Sequence, residues 1–176
     1  MTSWSTLLCL GFTLIAAFTD FRRQKIYNAT TYPGMAAAFV VNALEGGWPG
    51  LENSVYGFAA CGLIMLVCFV MFGVGGGDVK LIAMIGGFLG LAPGLEAMLW
   101  TFVLGGAGGL ACLIWRVGLL NLAVSTARHF YIVLRLFQWV PLSDDERKQL
   151  QPPLYLAPAA VLAVVATGFR LFDRWP

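Results

Sequence analysis

The chain has 176 residues, 59% of them hydrophobic and 11% charged, with a net charge of +2 and a mean hydropathy of +0.79. This inventory cannot supply a polar surface for a soluble domain, and so small a net charge leaves no footprint for nucleic acid. The apolar residues fall in long runs, the pattern of an all-α integral membrane protein whose partner is the lipid bilayer.

Taking about 20 residues at a rise of about 1.5 Å per crossing, with tolerance for shorter spans, the sequence predicts six transmembrane helices. They run from Trp4 to Thr19, Ala29 to Leu44, Val55 to Phe72, Val79 to Leu91, Leu95 to Trp115 and Leu154 to Phe172. The fourth is short, as for a tilted or deeply seated helix. Met1 to Ser5 carries no Lys or Arg, and no small-residue cleavage pattern closes the first run, so it is expected to be a retained span.

Basic residues mark the cytoplasmic side of short loops. Arg22, Arg23, Lys25, Lys80, Arg116, Arg128, Arg135, Arg147 and Lys148 all fall inside if the N-terminus lies outside, and only Arg170 and Arg174 fall on the outer face. This predicts a multi-pass protein of the cell's inner, cytoplasmic membrane. Residues 117 to 140 are apolar but carry Arg128, His129 and Arg135, which are costly in hydrocarbon, and the expectation is a cytoplasmic interfacial amphipathic helix. A polar run from Ser143 to Gln151 follows as a solvated linker, so that the interfacial helix and linker together occupy about 117–153.

Cys9, Cys61, Cys68 and Cys112 lie within spans, form no C-x-x-C pair and stand away from His129, so packing rather than a metal or disulfide framework accounts for them. Gly86 with Gly90, and Gly105 with Gly109, have the G-x-x-x-G spacing that lets helices approach closely.

Two acids stand out. Asp20 closes the first span and Asp78 opens the fourth, on the same predicted membrane face. Singly each has a structural explanation: Asp78 as an N-cap at the positive end of a helix, Asp20 as an anchor or a partner of Arg22 or Arg23. Asp78, however, follows Gly75, Gly76 and Gly77, which open the backbone to close approach by an extended chain, a freedom that a simple cap does not need. A nucleotide loop is excluded, because the Walker spacing is missing and an acid precedes Lys80. Two carboxylates brought together cannot both ionise readily; one keeps a proton while the other serves as general base toward water, the arrangement of an aspartic protease, with no metal or cofactor.

The stretch Gly75-Gly76-Gly77-Asp78-Val79-Lys80-Leu81, followed by Gly86, Gly87 and Gly90, resembles the prepilin peptidase family, whose members carry Gly-x-Gly-Asp. Thr19-Asp20, a basic stretch, and Ile26-Tyr27-Asn28 resemble its first aspartate motif, with Tyr27 in place of the usual proline. Pro153-Leu154-Tyr155-Leu156-Ala157-Pro158-Ala159 is similar to its C-terminal turn, loosened by an inserted leucine. The resemblance implies one transmembrane peptidase domain over 1–176, with Asp20 and Asp78 as the catalytic pair and Gly75, Gly76, Gly77 and Lys80 supporting the substrate cleft. It implies an aspartic endopeptidase that removes a basic leader from prepilin or pseudopilin precursors at the cytoplasmic face. Members with paired C-x-x-C motifs in a zinc-type domain also methylate the new N-terminus; with no such pair in these residues the expectation is cleavage without methylation. The chain looks like the short form that serves tight-adherence (Flp) pili or like archaeal preflagellin peptidases, and a homo-oligomer stays open. The competing readings are a small transporter that relays an ion through Asp20 and Asp78, against which the lack of acids in mid-span counts, and an inactive peptidase-like scaffold, for which Tyr27 and the loosened C-terminal turn leave room.

Overall fold

A computed structural model describes residues 4–23, 25–117 and 156–168. Among them there is no strand, only helix and short turns. We number the helices α1 (Trp4–Arg23), α2 (Asn28–Phe72), α3 (Gly76–Leu89), α4 (Leu91–Val117) and α5 (Leu156–Gly168). The chain up to Gly105 forms one compact unit together with α5, and the part of α4 from Gly106 belongs to a second.

The second and third predicted spans do not have a loop between them; a single α2 covers both, broken only at Gly47. Gly47 has φ 60° and ψ −145°, a backbone state open to glycine and costly for any side chain. The consequence is a reversal. The Phe39 and Phe58 rings meet edge to face with centroids 5.5 Å apart, whereas a straight helix would hold them about 28 Å apart. At Gly50, a Cβ would strike the carbonyl oxygen of Asn42, so the two arms leave the bend in near contact. Pro49 falls in the first turn of the returning arm, where its missing N–H costs nothing. The expected loop over 45–54 thus shrinks to a one-residue break, because a glycine pair followed by proline reverses a helix without a linker.

The predicted fourth span begins earlier, at Gly76, and stops at Leu89, where Gly90 (φ 84°) ends it. This helix is short because it is the core. Leu81 to Phe88 are buried without interruption, so no face meets the outside, as expected of a helix apolar all round. Both arms of α2, α1 and α5 pack on it. Close approach rests on glycine: a Cβ on Gly57 would overlap the Gly86 and Gly90 backbone, and one on Gly86 would overlap Gly57 and lie 2.7 Å from Cys61 Sγ. Of the two expected G-x-x-x-G pairs, Gly86 and Gly90 therefore sit at a helix crossing, and Gly105 packs against Leu156. Cys9 and Cys61 are fully buried free thiols in this packing.

The last carbonyls of α3 lack helical partners and are met by side chains from its neighbours. Ser5 Oγ donates to the Phe88 carbonyl at 2.6 Å, Ser54 Oγ to that of Gly87 at 2.5 Å, and Asn42 Nδ2 to both at 3.1 Å. At the same end the Trp4 backbone N–H donates to Glu45 and that of Leu91 to Asn53. Asp20, Asn28 and Asp78 gather at the opposite end, so α1, the two arms of α2 and α3 alternate in direction.

Three helices are long and apolar enough to cross a membrane: α1, α2 and α4 over Leu91–Cys112; α5 is apolar but shorter. Large apolar side chains, among them Leu63, Val70, Leu99 and Leu162, face outward, as lipid-facing surfaces do. The interfacial helix, the polar linker and the ends of the sixth predicted span lie outside the described residues.

Candidate active site

The C-terminal end of α1, the loop that follows it and the first turns of α2 and α3 meet around one cleft of about 350 Å³, lined by Asp20, Lys25, Ile26, Tyr27, Asn28, Gly75, Gly77 and Asp78. Both sequence-predicted acids are therefore in it, although they stand 58 positions apart. Asp20 is buried, and its carboxylate accepts a hydrogen bond from the Ala157 backbone N–H in the first turn of α5. That N–H is one of the orphan donors of a helix start, and the local dipole favours a carboxylate there. Asp20 Oδ2 is buried with no partner among the described residues.

Asp78 occupies the third position of α3 rather than the N-cap, which is Gly75. From there its carboxylate reaches back to accept from the Gly75 N–H, as the acid of a capping box does. The structural explanation of Asp78 is thus correct in kind but displaced by three residues. That of Asp20 fails in its partners. Arg22 lies over the Phe18 ring, 5.1 Å from its centroid, and Arg23 donates to Tyr27 Oη at 3.0 Å and covers that ring. Tyr27, the departure from the expected proline, thereby steadies the loop by a side-chain contact.

Of the glycines before Asp78, two are tightly placed. A Cβ on Gly75 would lie 2.8 Å from Asp78 Oδ2, and one on Gly77 would lie 3.0 Å from Ile26 Cβ. On Gly76 it would meet only Phe69, at 3.8 Å, an ordinary contact. Steric demand alone therefore yields the pattern Gly-x-Gly-Asp. Lys80, expected to support the cleft, is not among the residues that line it: its Nζ donates to Asn28 Oδ1 at 2.8 Å and lies 5.0 Å from the centroid of the Tyr32 ring.

Asp78 is half-buried in the cleft that it shares with Asp20.

Among the described residues no group of three or more His, Cys, Asp or Glu side chains could share a metal ion. What the cleft offers is a pair of carboxyl groups, one buried and one half-buried, each at the start of a helix, with an amide and backbone N–H groups around them.

A model of the type IV leader peptidase family matches residues 7–110. The prepilin leader peptidase/N-methyltransferase of Bacillus subtilis (strain 168) is 32% identical over 104 residues, 57% of this chain and 41% of that protein. The chain thus spans about two fifths of the length of this curated relative. No solved structure matches. The family match includes both aspartates and the whole of α3 but ends before α5, which supplies the hydrogen bond to Asp20.

Proposed function

Because the chain belongs to the type IV leader peptidase family, we propose that it is an aspartic endopeptidase of the cytoplasmic membrane that removes the leader from prepilin-like precursors. The carrying observation is the convergence of Asp20 and Asp78 in one cleft at one end of the bundle. In this reading one carboxylate takes a proton from water, whose oxygen attacks the scissile carbonyl. The other, protonated, polarises that carbonyl, and its proton and that taken from water serve the collapse to a free acid and amine. The proton belongs to the pair rather than to either residue.

The alternating helices support the six-crossing path, with each arm of α2 as one crossing of roughly 30 Å at 1.5 Å per residue. Arg22, Arg23, Lys25 and Lys80 lie in or beside the helix ends that form the cleft, which supports a cytoplasmic active site and an outside N-terminus. A substrate with a basic leader ahead of an apolar helix would present its cleavage point at that level. We assign these residues cleavage alone, since they contain no C-x-x-C pair.

The test is co-expression in membranes with a small pilin precursor from the same genome, following the leader by immunoblot. Loss of the leader supports the proposal; a precursor that stays intact with well-expressed protein overturns it. The glycine motif gives a graded check in the same assay. Gly76→Ala is expected to cleave within about twofold of the wild type, Gly77→Ala to be slower, and Gly75→Ala to lose at least about tenfold, because its methyl group displaces the Asp78 carboxylate. A loss of that order reflects a misplaced reacting group rather than a lost contact. Equal rates for all three would remove the steric reading of the motif.

A further inference from the structure

The proposed peptidase site contains, beside the two acids, an amide side chain to which that reading gives no task. Asn28 opens α2 and lines the cleft with the two aspartates. Its Oδ1 accepts from Lys80 Nζ at 2.8 Å. A lysine ammonium carries donors and no acceptor, so the amide atom that faces it must be the oxygen. Asn28 is therefore locked in one of its two flips, with its NH2 group turned away from Lys80. Among the described residues nothing accepts from that Nδ2. Lys80 itself is held from a second side by the Tyr32 ring.

We propose that Asn28 Nδ2 donates a hydrogen bond to the carbonyl oxygen of the scissile peptide, and that Lys80 is a positioning residue that aims it. This rests on the peptidase reading above. When water adds to the carbonyl carbon, the carbonyl π pair moves onto oxygen, and the C–O bond becomes single. A donor already in place there stabilises the developing charge with no reorganisation, and no proton need leave the amide. The ammonium on Oδ1 draws electron density from the amide and strengthens Nδ2–H as a donor. The division of labour is then three-part: the aspartates move protons, Asn28 holds the oxygen, and Lys80 holds Asn28.

The alternative is a staple, in which Asn28 and Lys80 only tie α2 to α3. The two roles separate with Asn28→Asp, which keeps an oxygen for Lys80 and loses the donor, measured beside Asn28→Leu and Lys80→Met. The full chain, purified in detergent, is assayed on the same pilin precursor, reading kcat, KM and thermal midpoint. We expect Asn28→Asp and Asn28→Leu each to lose roughly 100-fold in kcat, with KM within about threefold, the size seen when one oxyanion donor is removed. Lys80→Met should lose about tenfold in kcat, since the amide stays but is free to turn. Wild-type kcat in Asn28→Asp, with a lowered midpoint only in Asn28→Leu, would overturn the proposal in favour of the staple. If the wild type cleaves and Asp78→Asn does not, a failure here is a failure of the Asn28 assignment alone. If Asp78→Asn cleaves like the wild type, the peptidase reading falls and takes this assignment with it.

Discussion

Asp20→Asn and Asp78→Asn are each expected to reduce leader cleavage at least about 1,000-fold while leaving the protein folded. Proton transfer by a positioned side chain contributes typically 10²–10⁴-fold, and in a pair that shares one proton, each member is needed for both halves of the reaction. Asparagine is close to isosteric with the acid, and its oxygen can still accept from the Ala157 N–H in one case and the Gly75 N–H in the other. The helix-start contacts therefore survive and only the ionisable proton is lost. Were the acids merely an anchor and a cap, the same changes would lower the thermal midpoint and leave measurable turnover. The readout is precursor processing at matched expression, together with thermal unfolding in detergent; turnover within about tenfold of the wild type in either variant would dismiss the dyad.

The second large effect concerns the fold. A single methyl at Gly86 would enter the space of the Gly57 carbonyl and of Cys61 Sγ, and one at Gly57 would enter the Gly86 and Gly90 backbone. Overpacking of a side-chain core costs typically 1–3 kcal/mol. Here the obstruction is largely main chain, which cannot rotate aside, so Gly86→Leu and Gly57→Leu are expected to yield no folded protein. Gly86→Ala and Gly57→Ala should lower the midpoint strongly. Gly62→Ala is the control: it lies on the same arm of α2, and its Cβ would meet Ala83 at 3.4 Å, an ordinary contact. It should stay within about 0.5 kcal/mol of the wild type. Detergent-solubilised yield and unfolding by fluorescence or circular dichroism distinguish these cases, and equal midpoints for Gly62→Ala and Gly86→Ala would refute the crossing as a point of no tolerance.

The helical character and most element positions were legible because hydropathy over a long window reports burial in either lipid or protein. The same property concealed the difference between them: α3 reads as a short span, yet it is short because other helices enclose it rather than because lipid does. The reversal between the second and third predicted spans was legible in the polar, glycine-rich stretch over 45–54; its narrowing to a one-residue break was not, since only the positive φ of Gly47 marks it. In the site, Asp20 and Asp78 could be paired from their shared membrane face and the glycines before Asp78. The N-cap expectation missed by one turn, because the glycine run is itself the start of α3. The engagement of Lys80 could not be read from its place two residues after Asp78, since helical residues two apart point about 200° from one another. Its true partner, Asn28, belongs to another helix, and no local pattern reports that. Asn28 was visible only as a letter in a motif; its amide became interesting once its oxygen was seen to be occupied.

The hydrogen bond from Ala157 to Asp20 also bears on the order in which the site comes into being. Synthesis delivers Asp20 first, Asp78 after the α2 hairpin, and residue 157 only much later, so both acids can be in the membrane before the donor that completes the setting of Asp20 exists. An unfinished chain would hold the pair of acids without their full setting. In the proposed reading, the complete setting of the pair is therefore present only in molecules that have been made through the start of α5.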